Sequence, residues 1–398
     1  MNYRFSDKVL NLKASAIREI LKFTSDPEVI SFAAGNPAPE AFPSKEISEI
    51  AANIFADQPV NALQYSVTEG YGPLREALKA RLKKQNCFDP ERDELIITSG
   101  GQQASELSCK VFLNPGDTLI CEAPSFVGCL NAFKSYNSKL VGITLEDDGM
   151  DLNALEDALK ADPNTKLIYV ISNFQNPTGL CTSYEKRKAI YELAKKYDVM
   201  ILEDNPYGDI RFEGENIPSI KTLDTDGRVI YAGSFSKTLA PGMRVGFVCA
   251  PKEVIQKIVV CKQVSDVHTN ILAQMICCEY MTKYDYEAHL DDIRKIYRHK
   301  CGLMLDNIKS NFSSCIKYTK PQGGLFIWCT LPDGSDMQSF CKKAVAEYKV
   351  AVVPGTAFMI SEEDKTSSFR LNFSTPTDEQ LVKGCHMLGG LSKELFGE

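Results

Sequence analysis

The chain has 398 residues, and 45 Lys plus Arg against 52 Asp plus Glu give it a formal net charge of −7. This length predicts two or three domains, or one large α/β domain with an appendage. The acidic balance disfavours a nucleic-acid-binding protein, which needs a basic surface, and 44% hydrophobic with 24% charged residues exclude a mainly disordered, collagen-like or coiled-coil chain.

Cysteine spacing and hydropathy indicate the cellular setting. Charged and apolar residues alternate at the N-terminus, so we expect no signal peptide. No run reaches the ~18 apolar residues that a membrane span needs. The 14 Cys form no C-x-x-C pair, and no Cys/His group has zinc spacing. We therefore expect a cytoplasmic protein with reduced, mostly buried thiols, no metal site and no membrane partner.

The middle of the chain alternates strand and helix patterns. Near-continuous apolar runs predict seven buried strands, at 94–98, 117–122, 139–143, 166–171, 199–204, 229–233 and 245–250. Helical patterns lie between several of them, at 102–112, 126–135, 152–160 and 184–197, with Asp151 as an expected N-cap. This alternation predicts an open α/β sheet with right-handed crossovers.

The pattern changes after about residue 251. Helices are predicted at 252–264, 270–282, 286–311 and 336–347 and from 378, and short strands at 316–319, 325–330, 350–353 and 368–373. We interpret this as a smaller α+β domain that the N-terminal segment joins. The predicted domains are 46–285 for the large one, and 1–45 with 286–398 for the small one.

The strongest cluster of polar residues follows the strand at 229–233. It contains Ser234, Ser236 and Lys237, and Arg244 comes seven residues later. Hydroxyls and a guanidinium suit a cofactor phosphate, and an amine with a lowered pKa suits a cofactor carbonyl. The alternative is an ordinary loop at a strand end, with a surface lysine.

Two further strand ends carry polar residues. Asn176 lies in an Asn-Pro-Thr-Gly segment, where it could bind a ligand or simply form a turn. Asp204 ends the strand at 199–204, with Tyr207 close behind. The carboxylate could pair with a protonated heterocyclic nitrogen and the phenol could donate to a phenolate oxygen, or Asp204 could cap a turn.

A fourth strand end leads into a helix at Gly101 and Gln102, where backbone N–H groups can approach a phosphate; many ordinary helices begin in the same way. Together the four strand ends supply an amine, a carboxylate, a phenol, an amide, hydroxyls, a guanidinium and a helix N-terminus. These are the groups needed to hold pyridoxal 5′-phosphate.

The order of these motifs resembles the class I/II aminotransferases of fold type I over essentially the whole chain. Within that family, segments 15–43 and 63–75 are similar to the 2-aminoadipate and kynurenine aminotransferases. The resemblance implies a pyridoxal-phosphate-dependent transferase fold whose large domain has a mainly parallel seven-stranded sheet. It also implies transfer of an amino group from an L-amino acid to a 2-oxo acid, such as 2-oxoglutarate, in two half-reactions.

The resemblance also implies roles for single residues. Lys237 matches the lysine that bonds to the cofactor aldehyde and moves the proton, and Asp204 matches the partner of the pyridine nitrogen. Tyr207 and Asn176 match donors to the ring oxygen, and Phe126 matches the aromatic residue that stacks on the ring. The positions that bind the phosphate match Gly101, Gln102, Ser234, Ser236 and Arg244.

Tyr65 matches a tyrosine that reaches the phosphate of the neighbouring subunit, which implies a homodimer with shared active sites. Arg370 matches the arginine that binds the substrate α-carboxylate, and the backbone near Gly35 and the side chain of Asn176 lie beside that position. Arg18 matches an arginine that takes a distal substrate carboxylate; the alternative is a solvated charge on a helix.

Two other functions share these residues. A β-lyase would use the same cofactor and the same lysine, so the sequence separates it poorly from an aminotransferase. The effector module of a bacterial transcription regulator is disfavoured, because the resemblance begins by about residue 10 and the chain is acidic.

Overall fold

The computed structural model of the chain describes residues 3–10, 12, 26–361 and 363–397. Arg18 and the N-terminal helix predicted around it lie outside the described residues. Within the described part, no helix is both long enough and apolar enough to cross a membrane.

The strands of the described chain form three sheets. Their bounds are β1 (Ile30–Ser31), β2 (Asp93–Thr98), β3 (Thr118–Ala123), β4 (Lys139–Glu146), β5 (Gly149–Met150), β6 (Thr165–Val170), β7 (Met200–Asp204), β8 (Val229–Ser234), β9 (Gly246–Pro251), β10 (Lys317–Tyr318), β11 (Phe326–Thr330), β12 (Val350–Ala351), β13 (Val353–Pro354) and β14 (Ser368–Asn372). The large sheet has the order β2-β9-β8-β7-β6-β3-β4-β5. All seven predicted strands are therefore confirmed, and the two-residue β5 adds an eighth at the edge.

The large sheet is mainly parallel, as predicted, and one long strand is the exception. β9 pairs antiparallel with both β2 and β8, whereas β3, β4, β6, β7 and β8 pair in parallel. A parallel connection needs a crossover of a dozen or more residues, usually with an α-helix. The segment 235–245 between β8 and β9 holds only a short 3-10 turn at Pro241–Met243, so the chain reverses there.

Helices cover the large sheet and build the rest of the molecule. Their bounds are Asp7–Leu10, Ser44–Asp57, Pro59–Leu63, Gly72–Lys84, Gly101–Phe112, Val127–Lys134, Leu152–Ala161, Tyr184–Lys196, Lys252–Gln263, Ile271–Lys283, Tyr286–Asn311, Met337–Ala346 and Asp378–Phe396. The expected N-cap is confirmed, since the Asp151 carboxylate accepts from the N–H groups of Asn153 at 2.9 Å and Ala154 at 3.1 Å.

The C-terminal part holds a four-stranded antiparallel sheet of order β10-β11-β14-β13. The strand predicted at 350–353 divides into β12 and β13, which join different sheets. β12 pairs in parallel with β1 through Ile30 and Val350, so the segment before residue 45 packs with the C-terminal part. The domain boundaries at 45 and 285 stay a prediction.

The cysteines are free thiols, and all but Cys181, Cys261 and Cys315 are buried. Burial raises the pKa of a thiol, as it does at Cys109. These side chains therefore act as small apolar groups in the packing.

Candidate active site

A cavity of about 320 Å³ lies where the central parallel strands reach their carboxyl ends. Open α/β sheets bind ligands at this edge. Twelve of the residues singled out in the sequence line it together: Gly35, Gly101, Gln102, Phe126, Asn176, Asp204, Tyr207, Ser234, Ser236, Lys237, Arg244 and Arg370. Tyr65 does not line the cavity and lies at the surface, and Arg18 falls outside the described residues.

Lys237 lies just beyond β8, and its amine has no acidic partner among the described residues. The Lys237 Nζ donates to the Gly35 carbonyl oxygen at 2.7 Å. Burial lowers the pKa of Lys237 to about 8, and the positive charges of Arg370 and Arg244 add to that effect. Near neutral pH a useful fraction of the side chain is therefore an uncharged amine, which is the nucleophilic form.

Asp204 is the last residue of β7 and lines the cavity without a cationic partner among the described residues. Its Oδ2 accepts a hydrogen bond from the Tyr169 hydroxyl at 2.8 Å. Burial raises the pKa of Asp204 to about 7, and the bond from Tyr169 opposes this shift. A buried carboxylate without a cation is costly, so the site favours a ligand that brings positive charge to it.

The opposite end of the cavity collects groups that suit an anion. The helix Gly101–Phe112 begins after Gly100, which has a φ of 81° and provides no side-chain cap. A Cβ on Gly100 would lie 2.5 Å from the Arg244 guanidinium, so glycine is what lets the arginine close over the helix N-terminus. The Ser234 hydroxyl donates to Ser236 at 2.8 Å beside them, and the helix dipole adds positive potential.

Arg370 lies in the middle of β14, and its side chain is fully buried. One guanidinium nitrogen donates to the Asn176 amide oxygen at 2.8 Å and another to the Ala33 carbonyl at 2.7 Å. The Nε has no hydrogen-bond partner although it is buried. Burial lowers the pKa of Arg370, yet a guanidinium remains charged in proteins, so this group is ready to bind a carboxylate.

Two aromatic residues that the sequence did not single out hold this arginine. The guanidinium lies 4.1 Å from the ring centre of Phe326 and 4.8 Å from that of Phe358. Phe326 also packs edge-on against Tyr207, with ring centres 6.0 Å apart. The signal available in the sequence was an aromatic residue just after Gly323 and Gly324, which by itself predicts only a strand after a turn.

Tyr65 is 81% exposed, and its ring contacts the edge of His268 at 5.9 Å. The same stretch exposes Val60, Leu63 and Val67, which are 71%, 74% and 59% exposed. An exposed apolar group of this kind is typical of an interaction surface.

Comparison with known proteins identifies this arrangement. The family model described as "Aminotransferase class I and II" matches residues 27–388. The chain belongs to the class I and II aminotransferases. It is 41% identical to aromatic-amino-acid aminotransferase 1 of Thermococcus litoralis, covering 98% of this chain and 94% of the relative. It is 38% identical to 2-aminoadipate transaminase of Thermus thermophilus, covering 97% and 95%.

Among solved structures, a kynurenine aminotransferase of Pyrococcus horikoshii, in complex with PMP and kynurenine, superposes with a TM-score of 0.94. The two chains are 39% identical, and the match covers 98% of this chain and 97% of the other. The protein is therefore an aminotransferase with the pyridoxal-phosphate-dependent transferase fold, and pyridoxal phosphate is its cofactor.

The residues present fit that cofactor. At the anion end, an uncapped helix N-terminus, two hydroxyls and a guanidinium match a phosphate. At the other end, Asp204 has no cation of its own and matches a protonated ring nitrogen. Lys237, with its lowered pKa, lies in the same cavity, on the strand-end segment that carries Ser234 and Ser236, and matches an aldehyde.

Proposed function

We propose that this aminotransferase moves the amino group of L-amino acids with aromatic or dicarboxylic side chains to a 2-oxo acid such as 2-oxoglutarate. The single observation that carries the proposal is the buried, unpartnered Nε of Arg370 in the same cavity as Lys237. A carboxylate held there would place an amino acid beside a nucleophilic amine. The names of the relatives support the range of donors, since they act on aromatic amino acids, 2-aminoadipate and kynurenine.

The chemistry divides between the cofactor and the chain. When bound, pyridoxal phosphate supplies an aldehyde that takes up the amino group and a ring that withdraws electrons. Lys237 would hold the cofactor and, once released from it, use its amine to carry a proton to and from the substrate Cα. Asp204 would keep the ring nitrogen protonated, and Asn176 and Tyr207 would donate to the ring oxygen.

The remaining residues would orient the two ligands. Phe126 would stack on the ring, and the phosphate would be held by Gly101, Gln102, Ser234, Ser236 and Arg244. Arg370 would bind the α-carboxylate, with Asn176 and the backbone at Gly35 beside it. The Gly35 carbonyl, which accepts from Lys237 at 2.7 Å, would keep the amine close to the reacting atoms.

The distal end of the substrate is proposed to meet Arg18. Replacing Arg18 with Gln should weaken donors that carry a second carboxylate, such as 2-aminoadipate and glutamate, and spare leucine and tyrosine. The measurement is kcat/KM for each donor. An equal loss for all donors would mean that Arg18 supports the structure instead.

We also propose a homodimer in which Tyr65 reaches the phosphate site of the neighbouring subunit. Its 81% exposure and the apolar residues around it support this. Tyr65→Phe should weaken cofactor binding, whereas a hybrid dimer of a Tyr65→Phe and a Lys237→Ala subunit should regain one site of wild-type affinity. A hybrid without such a site would mean that Tyr65 serves its own subunit.

The deciding experiment is a visible absorption spectrum of the cofactor-loaded protein, titrated with single amino acids. The set contains 2-aminoadipate, glutamate, leucine, kynurenine, tyrosine and cysteine. Donors that the enzyme uses should change the cofactor band, and 2-oxoglutarate should restore it. Release of pyruvate from cysteine conjugates without any 2-oxo acid would indicate β-lyase chemistry instead.

A further inference from the structure

Tyr169 lies in β6, one strand away from Asp204, and is completely buried. Its hydroxyl donates to Asp204 Oδ2 at 2.8 Å. Its ring packs edge-on against Phe133 with ring centres 5.0 Å apart. The ring is therefore held by its contact with Phe133 while the hydroxyl binds the carboxylate.

This bond is the one hydrogen bond that the described residues give to the Asp204 carboxylate, and none of them provides it with a cation. Oδ1 has no hydrogen bond from the described residues, so the carboxylate keeps acceptor capacity for a ligand in the cavity that Asp204 lines. Burial keeps the pKa of Tyr169 well above its ordinary value, so the phenol stays protonated and can only donate here.

We propose that Tyr169 is a positioning residue that fixes the Asp204 carboxylate through Oδ2 and supports its negative charge toward the cofactor ring nitrogen. A hydrogen bond to a charged acceptor stabilises the charged form, and it does so more strongly in a site without water. Tyr169 acts through Asp204 and touches neither substrate nor reacting atoms. The inference rests on the proposed role of Asp204 and adds the residue that orients it.

The test measures cofactor affinity instead of turnover. Apo-protein is titrated with pyridoxal phosphate and, separately, with the 1-deaza analogue, which has carbon in place of the ring nitrogen. Tyr169→Phe should raise the Kd for pyridoxal phosphate roughly 10-fold, as expected for one hydrogen bond to a charged group. The Kd for the 1-deaza analogue should stay within about twofold of the wild-type value, because this ligand makes no ion pair with Asp204.

Tyr191→Phe is the matched control. Tyr191 is also buried and donates to a carboxylate, Asp226 Oδ1, at 2.9 Å, but it lies in the helix Tyr184–Lys196 and does not line the cavity. It should leave both Kd values unchanged. Tyr169→Met, with a flexible apolar side chain, provides a second variant without a donor if the Phe variant folds poorly.

The outcomes separate the two proposals. An equal loss of affinity for both ligands, or no loss for either, would overturn the role of Tyr169. A wild-type protein that binds both ligands equally well would overturn the role of Asp204 itself, and with it that of Tyr169. In an Asp204→Asn background, Tyr169→Phe should have no further effect; a full 10-fold effect there would contradict action through Asp204.

Discussion

The buried Lys221 and the partly buried Lys237 lie beyond opposite ends of β8, and their surroundings differ completely. Before the strand, the Lys221 Nζ donates to Asp224 at 2.8 Å, to Asp93 at 3.1 Å and to the Val229 carbonyl at 3.0 Å. After the strand, Lys237 donates to one neutral acceptor, the Gly35 carbonyl. The lysine before the strand thus has two carboxylate partners, and the lysine after it has none.

This difference explains why one lysine is reactive and the other is structural. Burial lowers the pKa of Lys221, but the neighbouring Cys249, Asp224 and Asp93 raise it above its ordinary value overall. Lys221 is therefore a fixed cation that joins β2 to the segment before β8. At the carboxyl end of the strand, no carboxylate offsets the effect of burial on the pKa of Lys237. Its amine is therefore partly uncharged at neutral pH.

The largest effect should come from removing the unpaired lysine. Lys237→Ala should lower kcat at least about 10³-fold, because it removes both the nucleophile and the proton carrier. The free energy of unfolding of the apo-protein should not fall by more than about 1 kcal/mol, since burying this amine without a carboxylate is itself unfavourable. Steady-state kinetics and urea unfolding of the same sample check both halves.

Lys221→Met tests the paired lysine and should give the reverse pattern. It removes the buried cation that Asp93 and Asp224 share and leaves them only the partly exposed Arg92, at 3.2 Å and 3.9 Å. Breaking a buried ion pair costs about 3–5 kcal/mol of stability. The protein that remains folded should keep a kcat within about threefold of the wild type, because Lys221 does not line the cavity. If Lys221→Met were as stable as the wild type, the contrast between the two lysines would fail.

Two buried arginines extend the comparison. Arg187 has all its donors occupied, with bonds to backbone oxygens at Thr182, Ile217, Pro218 and Ser172 and to the Asn173 side chain. Arg370 instead keeps its Nε free. Arg370→Lys preserves the charge but loses the planar fork, so kcat/KM for amino acids should fall about 100-fold.

The control for that variant is binding of the cofactor alone. Arg370→Lys should change the Kd for pyridoxal phosphate by less than about threefold, because Arg370 is assigned to the substrate carboxylate. A loss of cofactor affinity as large as the loss in kcat/KM would remove Arg370 from that role.

Much of this contrast could be predicted from the sequence, because it depends on local patterns. Continuous apolar runs predict β2 to β4 and β6 to β9 to within a few residues, and polar residues directly after strands indicate Lys237, Asp204 and Asn176. The carboxyl ends of parallel strands meet at one edge, so these residues share a cavity whatever the details of packing.

The rest depends on contacts between distant segments. Tyr169 lies in an apolar strand pattern that predicts a core residue, because no neighbouring residue in the sequence indicates that its hydroxyl binds Asp204. The partner of Lys221 at Asp93 is equally remote in sequence. The helix Gly72–Lys84 is absent from the predicted helices, although its proline at the start and its leucines every four residues, Leu74, Leu78 and Leu82, are typical of a helix with one buried face.

The last prediction concerns Asp204 and pH in the apo-protein. The carboxyl titrates at about 7 when folded, against an ordinary value of 3.8. Between these values the folded state holds a proton that the unfolded state has lost, so stability falls as the pH rises toward and through 7. Asp204→Asn removes this dependence.

Between pH 4.5 and pH 8, the free energy of unfolding of the wild type should therefore fall by about 3 kcal/mol more than that of Asp204→Asn. Urea titrations at a series of pH values measure both. Asp226→Asn is the control, because hydrogen bonds from Arg228 and Tyr191 lower the pKa of that carboxyl although burial opposes them. Asp226 confers its stability above the unfolded pKa, so its loss should be nearly constant over this range. Parallel pH profiles for Asp204→Asn and the wild type would mean that the fold does not raise the pKa of Asp204, and that burial does not destabilise its carboxylate in the apo-protein.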